Sequence, residues 1–232
     1  MFLPDTGYRG LMIRTTSLRG ISVEGVRVSA AAGEPLAHVA RIACEAGLSG
    51  LEWAYGIPGT VGGAVVMNAG TGEGVMVEQL AHVTCADAER SVSRAARELG
   101  FGYRHSAFLD GAIRGIIVEA TFDLIASARE RTLTVAKRLL EERSRKVPKG
   151  ASAGCTFRNP REGPPAGELL DRAGCKGLRI GDAYVSSRHA NFIINDGSEN
   201  AADVLKLMET MKARVMNAFG VALAEEIVVF PG

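Results

Sequence analysis

The sequence predicts an α+β protein, on three observations. Short runs such as Val26-Arg-Val-Ser29 alternate apolar and polar residues, the period of two that marks a half-buried strand. Two long segments, 127–145 and the one that starts at Asn200, repeat their apolar residues at helical spacing. The run 115–124 is apolar enough to be a central strand of a sheet.

Taken in order, residues 11–14 (Leu-Met-Ile-Arg), Ile21-Ser-Val-Glu24 and Val26-Arg-Val-Ser29 read as strands. Glu34-Pro35 opens a helix with proline at its first position; Leu36, Val39, Ala40 and Ala43 line one face and Gly47 ends it. A glycine-rich stretch follows, then strands over 77–85 and 115–124. The helix over 127–145 carries Leu133, Ala136, Leu139 and Leu140, and runs into the basic segment Arg143-Ser-Arg-Lys-Val-Pro-Lys-Gly150, a composition change that suggests a domain boundary. Beyond it come a glycine- and proline-rich region, a short helix over 167–172 and a strand over 191–195. In the last helix Asn200 is the expected cap, Val204, Met208, Met211 and Val215 form the buried stripe, and Gly220 is the stop. Met208, Met211 and Met216 sit at helical spacing and read as core. A strand over 227–230 closes the chain.

With 232 residues the chain forms one large domain or two small ones and buries roughly 70–75% of its unfolded surface. A hydrophobic fraction of 47% and a net charge of +1 leave no basic surplus to recruit nucleic acid or an anionic membrane. No apolar run reaches transmembrane length, and the N-terminus lacks the basic and apolar regions of a signal peptide. Cys44, Cys85, Cys155 and Cys175 form no C-x-x-C pair and the four histidines do not cluster with them, which argues against zinc and a disulfide framework and for a reducing cytoplasm.

Four places can carry chemistry. In Tyr55-Gly-Ile-Pro-Gly-Thr-Val-Gly-Gly-Ala-Val-Val-Met-Asn-Ala-Gly70, Thr60 and the apolar run 61–67 suggest a turn into a short helix. Exposed N–H groups there suit a phosphate or pyrophosphate; a tight turn packed on neighbouring backbone is the alternative. The spacing fits neither the dinucleotide nor the P-loop fingerprint. Cys155, after small residues, is either a thiol facing a cavity or a small buried hydrophobe. Arg104, among aromatics in Phe101-Gly-Tyr-Arg-His-Ser-Ala-Phe108, either grips an anion or lies over surface rings. Glu225 and Glu226 enter an apolar segment, so one points outward and the other has the chance of burial that raises a carboxyl pKa.

Six motifs in order, from the glycine stretch through Tyr103-Arg-His-Ser-Ala-Phe108, Ser152-Ala-Gly-Cys-Thr-Phe-Arg-Asn-Pro160, Ala166-Gly-Glu-Leu-Leu-Asp-Arg-Ala-Gly-Cys-Lys-Gly177 and Ala183-Tyr-Val-Ser-Ser-Arg-His-Ala-Asn-Phe192 to Phe219-Gly-Val-Ala-Leu-Ala-Glu-Glu-Ile227, closely resemble the UDP-N-acetylenolpyruvoylglucosamine reductases (MurB family) of peptidoglycan precursor synthesis. The resemblance implies a vanillyl-alcohol-oxidase-like FAD-binding domain at 1–126, followed by a MurB-type substrate domain at 127–232. It implies NADPH and FAD as cofactors and a UDP-sugar enolpyruvate as substrate. By the same resemblance Arg104, Cys155 and Glu226 are catalytic, Cys155 standing where serine is commoner. Tyr55, Gly56, Ile57, Pro58, Gly59, Thr60, Gly62, Gly63, Asn68 and Gly70 contact FAD; Lys146, Asn159 and His189 hold the substrate. No metal is implied, and nothing is said of oligomeric state. The chain looks like the loop-less subtype. Its first residues resemble the segment just after the family's N-terminal phosphate turn, so part of the FAD site is expected to be missing. The alternative expectation is a UDP-sugar-binding remnant that does not retain FAD.

Overall fold

The structure, a computed structural model, describes residues 5, 7–197 and 201–229. It divides into two compact units, one of residues 13–142 and one of residues 143–197 and 201–229 together with 5 and 7–12.

The first unit is built on a sheet. β1 (Ile21–Glu24) and β2 (Arg27–Ala31) form a hairpin across Gly25, whose φ of +60° supplies the turn. α1 (Leu36–Glu45) follows, with Pro35 as its N-cap and Gly47 at φ +71° just beyond its end, close to expectation. Then come β3 (Leu48–Ser49), α2 (Val61–Val66), β4 (Gly70–Thr71), β5 (Gly74–Val75), β6 (Leu80–Ala86), β7 (Ser91–Ala95), β8 (Ile116–Asp123), β9 (Ile125–Ala126) and α3 (Arg129–Lys146). The main sheet is antiparallel in the order β1-β2-β8-β6-β7, so the apolar run 115–124 is central as predicted. Its buried face presents Val28, Ala30, Val83, Ala120 and Phe122 to Leu36, Val39 and Ala43 of α1 and to Val61 and Val65 of α2. Each of the valine, leucine and phenylalanine side chains contributes about 1.5–3 kcal/mol on leaving water.

Two expectations fail here, and one strand was not foreseen. Residues 11–14 form no strand: Leu11 is 85% exposed and the segment has no ladder partner among the described residues. β7 escaped notice because Ser91-Val-Ser-Arg-Ala95 is short and polar, as an edge strand can be. In α3 the buried side chains are Thr132 and Ala136, while Leu140 is exposed. Thr132 turns inward because its hydroxyl donates to the Cys44 carbonyl at 2.8 Å. That anchor keeps most of α3 with the first unit, which runs to Glu142.

The second unit contains α4 (Ala166–Arg172), an antiparallel sheet of β10 (Arg179–Ile180), β11 (Ala183–Val185) and β12 (Ile193–Asn195), and α5 (Ala201–Phe219). Val204, Leu207, Met208, Met211 and Val215 of α5 pack with Phe157, Leu170 and Val185 in its own core. Met216, expected inside, is 44% exposed. Asn200 lies outside the described residues; the first N–H groups of α5 are met instead by the Asp5 carboxylate, at 2.6 Å to Ala201 and 3.2 Å to Ala202. Gly220, φ +68°, ends the helix. The closing strand is reduced, among the described residues, to isolated bridges such as Phe157–Glu225; Phe230 lies outside them.

Candidate functional site

The glycine-rich stretch folds as the expected turn into a helix, but its donors are mostly engaged. Thr60 caps α2, its hydroxyl accepting from Gly63 N–H at 3.4 Å. The N–H groups of Val61 and Gly62 donate to Glu34 and Ala32 carbonyls, both at 2.9 Å. A Cβ on Gly62 would sit 3.1 Å from the Ala32 Cβ, one on Gly56 would strike Leu140, and one on Gly70 would lie 2.8 Å from the Gly74 carbonyl oxygen. Gly56, Gly62 and Gly70 therefore serve close packing within the unit. The open part is Pro58, Gly59 and Gly63. Gly59, at φ +107°, has nothing within 4 Å of a would-be Cβ, and the N–H groups of Gly59 and Thr60 donate to no described residue. This fits one wall of a phosphate cradle. Tyr55 and Ile57 pack against the core behind it. The turn before α1 is held by Glu34, 6% exposed, which accepts from Gly20 N–H at 2.9 Å and meets Arg19 and His38. Burial would push this carboxyl up; the Gly20, His38 and Arg19 donors together bring it below the usual range.

Arg104 sits at the tip of a two-residue turn in which Gly102 and His105 exchange backbone hydrogen bonds at 3.1 and 3.2 Å. Its φ is +51°, a left-handed conformation that a non-glycine residue holds only when its surroundings enforce it. The surroundings are the C-terminal end of α2. The Arg104 guanidinium donates to the Gly70 carbonyl at 2.7 Å and the Asn68 carbonyl at 3.5 Å, and stands 5.4 Å from the Tyr103 ring centroid. Ser106, fully buried, donates to the Val66 carbonyl at 2.6 Å. The Asn68 carboxamide donates to Gly102 O at 2.9 Å and accepts from Val77 N–H at 3.2 Å.

In the second unit Cys155 is half-exposed, whereas Cys44, Cys85 and Cys175 are buried thiols. Burial pushes all three up, Cys44 to about 12, whereas Cys155 is the one cysteine that is not fully buried. Its segment runs antiparallel to the one bearing Glu225 and Glu226: Phe157 faces Glu225, Glu226 N–H donates to Thr156 O, and Arg158 N–H donates to Ala224 O, both at 2.8 Å. Glu225 shares the face of buried Phe157 and pairs with Lys212 at 2.7 Å, a structural role. Glu226 turns to the opposite face with Thr156 and Arg158. Both glutamates are half-buried.

Arg143, which the sequence reading left inside a basic linker, is half-buried on the last turn of α3. Burial draws its pKa down, and it lies close enough to Cys155 for a thiolate there to raise it again. Lys146, one turn on, is exposed. Asn159 accepts from Ala166 N–H at 3.0 Å and so starts α4. His189 Nδ1 accepts from Asn191 N–H at 3.2 Å, which leaves the proton on Nε2; desolvation, with help from Lys176, lowers its pKa. Arg188 braces the end of α3 by donating to Ser144 O at 3.2 Å. No cluster of metal-ligating side chains occurs among the described residues.

Two family signatures match the chain: "FAD binding domain" at residues 2–95 and "UDP-N-acetylenolpyruvoylglucosamine reductase, C-terminal domain" at residues 145–230. A UDP-N-acetylenolpyruvoylglucosamine reductase from a Synechococcus species is 44% identical over 98% of this chain and 75% of its own length. The reductase of Desulfosudis oleivorans is 38% identical over 98% of this chain and 80% of its own. The chain belongs to the UDP-N-acetylenolpyruvoylglucosamine reductase (MurB) family. A crystal structure of the MurB from Thermus caldophilus superposes with a TM-score of 0.77 at 40% identity, covering 93% of this chain and 74% of that one. The order of an FAD-binding domain before a MurB C-terminal domain, with mixed helix and strand, is that of the family. No described helix is long and apolar enough to cross a membrane.

Proposed function

We propose that this chain reduces the enolpyruvyl ether of a UDP-N-acetylglucosamine to UDP-N-acetylmuramate, with NADPH as electron source, in the cytoplasmic synthesis of peptidoglycan precursor. The observation that carries the reading is Cys155: in a family of reductases, a half-exposed thiol occupies a segment laddered to the one that bears Glu226. FAD, when bound, would supply hydride chemistry, with NADPH as its reductant. Gly59, Thr60 and Gly63, flanked by Tyr55, Ile57 and Pro58, would hold its phosphates.

The residues' work follows from charge. Hydride addition to the terminal alkene carbon leaves negative charge on the carbon that bears the carboxylate. Arg104, held in advance by two carbonyls, meets that charge without reorganising. The Cys155 S–H delivers its proton to the same carbon, completing addition of hydride and proton across the double bond. Arg143 stabilises the thiolate left behind until water reprotonates it. Glu226 orients the substrate carbon toward the thiol. Lys146 and His189 grip the diphosphate and sugar, and Asn159 sets the start of α4 beside them.

A second reading, UDP-sugar binding with poor retention of FAD, has its own observation: on this stretch the N–H groups of Val61, Gly62 and Gly63 are engaged within the protein, and a pyrophosphate draws on several donors. Flavin stoichiometry of the purified chain, followed by assay of product from the enolpyruvyl UDP-sugar with NADPH, separates the two. Near-stoichiometric flavin with turnover establishes the reductase. A colourless protein that still binds the UDP-sugar establishes the second reading.

A further inference from the structure

α2 ends in a Schellman motif: Ala69 N–H reaches back to Ala64 O at 2.8 Å and Asn68 N–H to Val65 O at 3.0 Å, with Asn68 left-handed at φ +43°. Glycine is the usual residue at that position because it adopts the left-handed conformation without strain. This stretch is rich in glycine, yet here it carries asparagine, and the side chain is 4% exposed. Both ends of the carboxamide are engaged with protein. Nδ2 donates to Gly102 O, the carbonyl that also closes the Arg104 turn by accepting from His105 N–H, and Oδ1 accepts from Val77 N–H. The Asn68 backbone carbonyl in turn accepts from the Arg104 guanidinium. One residue therefore grips the strained turn from outside and its guanidinium from below.

We infer that Asn68 is the positioning residue of Arg104: it clamps the Tyr103-Arg104 turn to the end of α2 and so fixes where the guanidinium points, rather than touching the cofactor. The functional half of this inference rests on the role proposed for Arg104; the structural half does not. Ser106, buried beside it and bonded to Val66 O, is a second tie on the same turn.

The test uses the full chain with Asn68→Gly, which suits the left-handed backbone and removes only the side-chain clasp, and with Asn68→Asp, which keeps the acceptor for Val77 but sets a second acceptor against Gly102 O. Side-chain nitrogen NMR, with Arg104→Ala to assign the signals, reads the guanidinium directly. In the wild type the Arg104 Nη signals are resolved by slow rotation; in both Asn68 variants they collapse to one. FAD affinity stays within about twofold, while turnover falls roughly 10–100-fold, the scale of an ångström-sized misplacement. In an Arg104→Ala background Asn68→Gly costs nothing further in turnover, as expected of residues acting as one unit. Unchanged Arg104 signals in a folded Asn68→Gly protein overturn the inference, as does a large loss of FAD affinity with the signals intact, which would make Asn68 a cofactor contact. If Asn68→Gly does not fold, the same signals in Asn68→Asp decide. Normal turnover by Arg104→Ala would remove the catalytic role of Arg104 and leave the NMR result standing.

Discussion

Gly63 is the glycine at which stability and ligand binding should part company. It lies in the first turn of a six-residue helix, is exposed, and a Cβ there would meet only the Thr60 hydroxyl at 3.6 Å, an ordinary contact. Alanine is favoured over glycine by about 1 kcal/mol in a helix interior, and by roughly half that near an end. Gly63→Ala should therefore stabilise the first unit by ~0.5 kcal/mol, about 1–2 °C in Tm for a chain of this size. Gly62→Ala is the control. It has the same propensity gain, but its Cβ would lie 3.1 Å from Ala32 Cβ and 3.3 Å from Ala32 O, and overpacking costs about 1–3 kcal/mol, so it should be net destabilising. Trp53, the one tryptophan of the sequence and 5% exposed within this unit, reports urea unfolding by fluorescence. If FAD approaches the open rim at Gly59 and Gly63, the stabilised Gly63→Ala protein should bind it about tenfold more weakly, some 1.4 kcal/mol. Loss of stability in Gly63→Ala would refute the open-space argument. A gain in stability with unchanged FAD affinity would remove the ligand from this rim.

Other expectations follow from the second unit. Cys155→Ala should leave flavin reduction by NADPH intact and lower product formation by at least ~100-fold, while Cys155→Ser keeps much of the rate; normal turnover of the alanine variant would end the proton-donor assignment. Glu226→Gln should reduce turnover more than Glu225→Gln, which instead loses the Lys212 pair and with it some stability; the reverse ranking in a kinetic and melting comparison would exchange their roles. His189 is held neutral by desolvation, so its folded pKa lies below the unfolded value. Its contribution is present above about pH 6.5 and is lost as pH falls through the depressed folded value, because the unfolded state binds the proton first. His189→Gln should flatten the pH dependence of denaturation midpoints between about pH 6.5 and that lower value, and an unaltered pH profile would contradict the assignment.

The elements most legible in the sequence were those whose pattern is local. The central strand and α1 were readable because burial imposes periodicity on neighbouring residues, and the glycine turn because Thr60 and the apolar run signal a capped helix. Residues 11–14 misled because three apolar residues satisfy a strand pattern while pairing depends on a partner elsewhere. In α3 the hydrophobic pattern favoured Leu133 and Leu140, whereas a hydroxyl–carbonyl bond to Cys44 selected Thr132. That Glu225 rather than Glu226 meets Lys212 follows from the ladder to Phe157, and the half-burial of Arg143 from the return of Cys155 to the end of α3; neither leaves a mark at short range. The Asn68 clasp reads in sequence as one more small polar residue, since its partners are 9 and 34 residues away.

The Asp5 cap on α5 has a temporal consequence. Its donors lie 196 and 197 residues further along the chain, so the two halves of that contact leave the ribosome well apart in time. At ~5–20 residues per second the N-terminal strip waits roughly 10–40 s for its helix, while the unit of residues 13–142 emerges whole and is free to fold first. During that interval exposed Leu11 and its neighbours are a segment a nascent-chain chaperone would meet, and a substitution at Asp5 would disturb a helix encoded far downstream rather than the sheet beside which it is encoded.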